Sequence, residues 1–177
     1  MKFTPLSIPD IKLFKHEIFK DERGYFYELF NQNNFNRINK KAYHFIQDNY
    51  AHSKKNVLRG LHYQEINPQA KLINVTYGEI FDVAVDIRKK SSSFGKFVGI
   101  KLAAKDKNLL FIPEGFAHGY LVLSDFADVQ YKVNTEWNKD NEKIIKWNDK
   151  DLNINWPIRK NLIISSKDLN GLSFNSI

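Results

Sequence analysis

His62 and His118 stand apart from the chain's other histidines. His16, His44 and His52 lie among polar residues and read as exposed. His62 sits in Arg59-Gly60-Leu61-His62-Tyr63-Gln64, between strand-like segments, and His118 follows Pro113-Glu114-Gly115-Phe116-Ala117. An imidazole titrates near neutrality, so either ring can take up a proton and return it. A lysine ammonium, as at Lys71, is a charged hydrogen-bond donor suited to an enolate oxygen. A tyrosine, as at Tyr131, can return a proton to the opposite side of a carbon. The set suits removal of a proton next to a ketone and its return with inversion. Each residue also has a plainer reading. Lone histidines are more often structural, Lys71 fits an edge-strand charge that blunts aggregation, and Tyr131 fits a barrel-wall aromatic. Taken alone, the residues favour these plainer readings for Lys71 and Tyr131.

The elements that must hold these groups have period two. Lys71, Ile73, Val75 and Tyr77 share one face of a strand, and Phe81, Val83, Val85 and Ile87 alternate with Asp82, Ala84, Asp86 and Arg88 in a second. Tyr77-Gly78-Glu79 between them reads as a turn, so the two form a hairpin. Further strands are expected at Phe97 to Ala103, Asn108 to Ile112, Tyr120 to Leu123 and Ala127 to Val133, with a turn at Pro113-Glu114-Gly115. Short helices are expected at Pro9 to Phe19 and Asn33 to Ile38, and the tail from Asp149 is helical in part. Many short strands with Gly and Pro turns indicate an all-β sandwich or barrel, here a jelly roll with small helical additions. Tyr131 falls on the face of Val129 and Val133. Regular alternation puts Arg59 and His62 on opposite faces unless the strand is irregular.

Composition narrows the function. The chain has 177 residues, the size of one domain, and 42% of it is hydrophobic and 14% aromatic, which argues against disorder. It has no cysteine, so neither a disulfide framework nor a thiolate metal site is available. No apolar run approaches the ~18 residues of a membrane span, and the first residues lack a secretory pattern. A cytoplasmic protein is expected. The net charge is +7, but the lysines come as scattered pairs (Lys40/Lys41, Lys54/Lys55, Lys89/Lys90) with no nucleic-acid motif. This reads as a solvated basic surface that would also attract a diphosphate.

The spacing Pro113-x-Gly115-x-x-His118 resembles the second motif of the cupin barrels, many of which hold iron or manganese through His-x-His, a Glu and a further His. Here His62-Tyr63-Gln64 stands in place of His-x-His, and Lys71 lies near the expected carboxylate. A charged ammonium cannot ligate a metal. A cupin-like, double-stranded β-helix barrel without metal or other cofactor is therefore expected.

A longer series of motifs follows in order along the chain. These are Asp21-x-Arg23-Gly24-x-Phe26-x-Glu28, Gln47-Asp48-Asn49 with Ser53, Leu58 to Gln64, Lys71 to Arg88, Ile112 to Gly119, Tyr131-Lys132, Trp147-Asn148-Asp149 and Ser165-x-Lys167-Asp168. In this the chain resembles the dTDP-4-dehydrorhamnose 3,5-epimerase family over nearly its whole length. The resemblance implies an isomerase of dTDP-L-rhamnose biosynthesis that acts on a dTDP-4-keto-6-deoxyhexose. It implies His62 as base paired with Asp168, Lys71 at the enolate, Tyr131 as acid and His118 near the sugar. It assigns Arg23 and Arg59 to the diphosphate, and Phe26, Glu28, Gln47 and Asn49 to the thymidine and its surroundings. It also implies a homodimer exchanging N-terminal strands (about residues 1–45), so that Arg23 and Phe26 serve the partner's site. Trp137 departs from the pattern, standing where the family usually has a tyrosine beside the sugar: it keeps an aromatic wall and loses a hydroxyl. A single-carbon epimerase of another 4-keto nucleotide sugar, and a non-catalytic nucleotide-sugar-binding barrel, are the alternatives.

Overall fold

The computed structural model describes residues 2–39 and 41–177; Met1, and the Lys40 half of the Lys40/Lys41 pair, lie outside the described residues. In chain order the elements are β1 (Lys2–Pro5), β2 (Lys12–Lys15), β3 (Phe19–Asp21), β4 (Gly24–Phe26), α1 (Gln32–Asn39), β5 (Gln47–Lys54), β6 (Leu58–Gln64) and β7 (Lys71–Tyr77). There follow β8 (Glu79–Asp86), β9 (Phe97–Ala103), β10 (Asn108–Ile112), β11 (Phe116–Val122), β12 (Phe126–Val133), β13 (Glu142–Ile144) and the short α2 (Ser166–Leu169). A six-stranded sheet, ordered β1-β2-β10-β7-β12-β5, faces a five-stranded sheet, ordered β13-β6-β11-β8-β9. The all-β, cupin-like jelly roll expected from the sequence is present.

Three apolar clusters explain why so many strands are buried on both faces. The inner one, between the sheets, includes Ile73, Val75, Ala84 and Val129. A second lies outside the five-stranded sheet, where Trp156 and Phe174 of the tail cover Leu58, Val83, Val85 and Leu121. A third lies outside the six-stranded sheet, where Phe35 of α1 covers Leu72, Phe14 and Phe111. On β8 it is therefore the alternating polar set that turns inward: Asp82 and Asp86 are both 0% exposed. Burial would raise the Asp86 carboxyl, but hydrogen bonds from Arg88, Ser91 and Ser93 outweigh it and hold the pKa well below the usual range. The tail is anchored by Asp149, whose carboxylate accepts the N–H groups of Leu152 and Phe174.

Two expectations are overturned. β7 and β8 do not form a hairpin: β7 pairs with β10 and β12, and β8 with β9 and β11. At Gly78, with φ 74°, the chain passes from one sheet to the other, and a Cβ there would lie 2.2 Å from the Phe126 carbonyl oxygen. Alternation marks a strand but does not choose its partner. The helix expected over Pro9 to Phe19 is replaced by a turn and β2, whose Phe14 enters the outer cluster while Leu13 packs on the inner one. Pairing with β10 prevails over a helix-like spacing. The second expected helix is present as α1. His16, expected to be exposed, is half-buried, its ring nitrogens bonded to the carbonyl oxygens of Leu29 and Lys107. His44 and His52 are exposed. No helix among the described residues is long and apolar enough to cross a membrane.

Candidate active site

A cavity of about 280 Å³ opens between the two sheets. The five-stranded sheet sends in Arg59 and His62 from β6 and His118 from β11; the six-stranded sheet sends in Gln47 and Asn49 from β5, Lys71 from β7 and Tyr131 from β12. Lys71 is not an edge-strand charge, because β7 lies between β10 and β12.

The β6 strand owes its placement of Arg59 and His62 to a bulge. His118 pairs with His62 and Tyr120 with Arg59, so the single residue Gly119 on β11 opposes two, Gly60 and Leu61, on β6. The extra residue brings Arg59 and His62 to the same side, against regular alternation. Gly60 makes this possible: its φ is 114°, and a Cβ would stand 2.6 Å from both the Gly119 Cα and the His118 carbonyl oxygen.

His62 Nε2 lies 2.7 Å from Asp168 Oδ1, a contact between residues 106 positions apart. Asp168 Oδ2 accepts the Gly60 N–H at 3.2 Å. The carboxylate is held on α2, whose N-cap Ser165 accepts the Asp168 N–H at 3.1 Å. Burial would raise the Asp168 carboxyl, but the His62 hydrogen bond and charge, with Gly60 and Ser165, bring it below its ordinary value. The imidazole thus has an ionised partner to orient it and support a positive charge.

Lys71 is 7% exposed. Burial lowers its pKa to about 8, opposed by the charges of Asp82 and Glu142. It therefore carries a charge at neutral pH and makes no hydrogen bond to the described protein groups, which leaves a donor free for a ligand oxygen. His118 bonds through Nε2 to Asp82 Oδ2 at 2.8 Å. Its pKa is lowered, by burial first, with Lys71 and His62 adding to it against Asp82. The Tyr131 phenol is raised by burial, then by Tyr120 and Glu142. It stays protonated at neutral pH, as an acid must. Trp137 stands at the rim, 50% exposed, its backbone N–H donated to Gln47 Oε1 at 3.0 Å.

Three expected ligand contacts do not line this cavity. Arg23 and Phe26 belong to the β3–β4 hairpin, which pairs only with itself. The Arg23 side chain is 89% exposed and paired with Asp21 at 2.5 Å, and Phe26 is 70% exposed. Glu28 accepts hydrogen bonds from Asn31 and Asn34 at the surface. Within one chain these residues are therefore separate from the site. Conversely, Tyr120 and Glu142 line the cavity without having been singled out. Spacing by two from His118 could have shown Tyr120; nothing in the sequence around Glu142, which is paired with Lys167, marks it. Among the described residues no group of three or more His, Cys, Asp or Glu is arranged to hold a metal ion.

The sequence and the fold both have known counterparts. The family model for dTDP-4-dehydrorhamnose 3,5-epimerase matches residues 5–176. The enzyme of that name from Shigella flexneri is 50% identical over 98% of this chain and 96% of its own. A dTDP-6-deoxy-D-glucose-3,5-epimerase from Legionella pneumophila, solved in complex with dTDP-4-keto-L-rhamnose, superposes with a TM-score of 0.96 at 41% identity, covering 99% of this chain and 94% of that one. A 3′-monoepimerase from Streptomyces bikiniensis, solved with dTDP-quinovose, superposes with a TM-score of 0.90 at 30% identity over 97% of this chain and 87% of its own.

Proposed function

The chain belongs to the dTDP-4-dehydrorhamnose 3,5-epimerase family, and from that premise we propose that it converts dTDP-4-dehydro-6-deoxy-D-glucose to dTDP-4-dehydro-L-rhamnose by inverting carbons 3 and 5. The observation that carries the chemistry is the placement of His62 and Tyr131 in one cavity on strands of opposite sheets. Inversion needs a base on one face of the carbon and an acid on the other. His62 takes the proton α to the ketone, and Asp168 supports the resulting imidazolium. The Lys71 ammonium receives the negative charge that develops on the ketone oxygen. Tyr131 returns a proton from the other side, and the carbonyl re-forms. His118 contacts the sugar, Arg59 the diphosphate, and Gln47 and Asn49 the nucleotide end, with Trp137 as an aromatic wall at the rim.

The proposal extends to a homodimer working in the cytoplasm. The β3–β4 hairpin exposes Phe19, Tyr25 and Phe26 at 55%, 56% and 70%, and β5, which carries Gln47 and Asn49, is a free edge of its sheet. Exchange of the N-terminal segment would cover both features, bringing Arg23, Phe26 and Glu28 to the partner's cavity.

NMR of dTDP-4-keto-6-deoxyglucose incubated with the protein in D₂O tests the reaction. Deuterium is expected at both carbon 3 and carbon 5. Incorporation at one carbon alone would assign the chain to single-site epimerases such as the monoepimerase relative, and none at all would refute the substrate.

A further inference from the structure

Asp82 has no role in the reaction as set out above, yet it is fully buried. It lies on β8 two residues from Ala84, the residue that pairs with His118 of β11, and so shares the inward face with His118. Its Oδ2 is 2.8 Å from His118 Nε2. Its Oδ1 is sealed from solvent and has no partner among the described residues. The imidazole N–H is therefore the single hydrogen bond that holds this carboxylate among those residues. Moving the proton to the other ring nitrogen would leave a buried carboxylate with no partner, facing a lone pair, at a large cost.

The other nitrogen, Nδ1, has no hydrogen-bond partner among the described residues. The only side-chain atoms there that are both unpartnered and sealed from solvent are Asp82 Oδ1 and the Tyr120 hydroxyl. Nδ1 is therefore open, and the ring lines the cavity that holds His62, Lys71 and Tyr131. His62 stands directly opposite on β6 and is also bonded through Nε2 to a carboxylate. The two surroundings differ. The His62 side chain is 30% exposed, and Asp168 has a second donor in the Gly60 N–H. The His118 side chain is 8% exposed. Burial lowers its pKa, opposed by Asp82 and reinforced by Lys71 and His62. His62 is placed to gain a proton, and His118 to stay neutral with a lone pair on Nδ1. A lone pair cannot bind a ketone or enolate oxygen, which only accepts; it can bind a hydroxyl, which donates.

Resting on the reading that this cavity holds the keto sugar, we propose that Asp82 is a positioning residue that fixes the His118 proton on Nε2, so that Nδ1 accepts a hydrogen bond from a hydroxyl of the sugar. The enolate oxygen is then left to Lys71, and His118 selects sugars that carry the hydroxyl. A site built to bind a hydroxyl rejects analogues that lack it.

¹⁵N NMR of the whole protein reads the tautomer without substrate, with His118 assigned by the signals missing from His118→Gln. At neutral pH the Nε2 signal is expected in the range of a protonated ring nitrogen and the Nδ1 signal in that of a bare one. A proton on Nδ1 in the wild type would overturn the proposal, whether or not any Asp82 variant folds. In Asp82→Asn, whose amide can donate or accept, the two signals should move toward each other; unchanged signals would overturn the part given to Asp82. The hydroxyl is tested with dTDP-4-keto-6-deoxyglucose and its analogues lacking the hydroxyl at carbon 2 or carbon 3, by deuterium uptake at carbon 5. For the full substrate, Asp82→Asn should raise KM by about tenfold with kcat nearly unchanged. One analogue should show that rise already in the wild type and no further rise in the variant. An equal rise for all three substrates, the mark of a structural role, would overturn the contact. No uptake of deuterium from the full substrate by the wild type would instead refute the epimerase reading, and the hydroxyl contact with it, while the spectrum still decides the tautomer.

Discussion

A neutral imidazole that takes a proton becomes a cation, and at His62 that cation would form 2.7 Å from the Asp168 carboxylate. Asp168→Asn keeps the shape of the partner and removes its charge. It is expected to lower deuterium uptake by roughly 10²–10⁴-fold while leaving dTDP affinity, measured by calorimetry, nearly unchanged; loss of affinity with wild-type turnover would count against the dyad. Lys71 makes a second prediction, with a definite sign. Its folded pKa is lowered from 10.5 to about 8, so the ammonium is lost as pH rises through 8, and kcat should fall there. For stability the sign is opposite. Between about 8 and 10.5 the unfolded chain holds a proton that the folded chain does not, so this group makes folding more favourable as pH rises in that window. Lys71→Met should abolish turnover, raise the melting temperature at pH 7 and remove that contribution to the pH dependence. A lower melting temperature would mean that the buried charge is compensated better than its surroundings indicate.

At the scale of elements, the bulge in β6 decides which side chains meet the ligand. Gly60 and Gly119 let the two backbones approach closely, and a Cβ at either glycine would meet backbone at 2.6 Å. Gly60→Ala is expected to destabilise the fold by about 2–3 kcal/mol and to lower activity further than unfolding alone accounts for, because Arg59, His62 and the Gly60 N–H that binds Asp168 all move together. Chemical denaturation and turnover measured on the folded fraction would separate the two effects. Unchanged stability would show that the bulge adapts. Several elements were legible beforehand: β7, β9 and β10 span the same residues as the strands read from alternation. Their partners were not legible, because a period of two records that a residue faces one of two sides and not what lies there. That is why alternation in two strands adjacent in sequence suggests a hairpin for β7 and β8, which belong to opposite sheets.

At the scale of the whole molecule, the proposed dimer predicts complementation. Arg23→Ala and His62→Ala should each be inactive. Mixed under conditions that exchange protomers, they should recover activity, since a hybrid pairs the intact hairpin of one chain with the intact base of the other. No recovery, with exchange verified by mass spectrometry, would place Arg23 and His62 in one chain's site or remove Arg23 from the chemistry. The tail has an equally global role. It covers the outer face of the five-stranded sheet with Trp156 and Phe174, and at its end it delivers Asp168 to β6.

The sequence by itself determined the residue types of the site, the strand-rich class of the fold and several strand boundaries, because titration chemistry and side-chain alternation are local properties. It could mark His62, Lys71, His118 and Tyr131 as groups able to move protons or bear charge. Only the tertiary structure decided that these four share one cavity, that a bulge turns Arg59 to the same side as His62, and that Arg23, Phe26 and Glu28 lie away from that cavity within the chain. The pairing of His62 with Asp168 spans 106 residues; the family resemblance named it, but no local rule could derive it. Such contacts depend on how layers stack around a common core, and stacking is settled by the burial of distant apolar faces against one another.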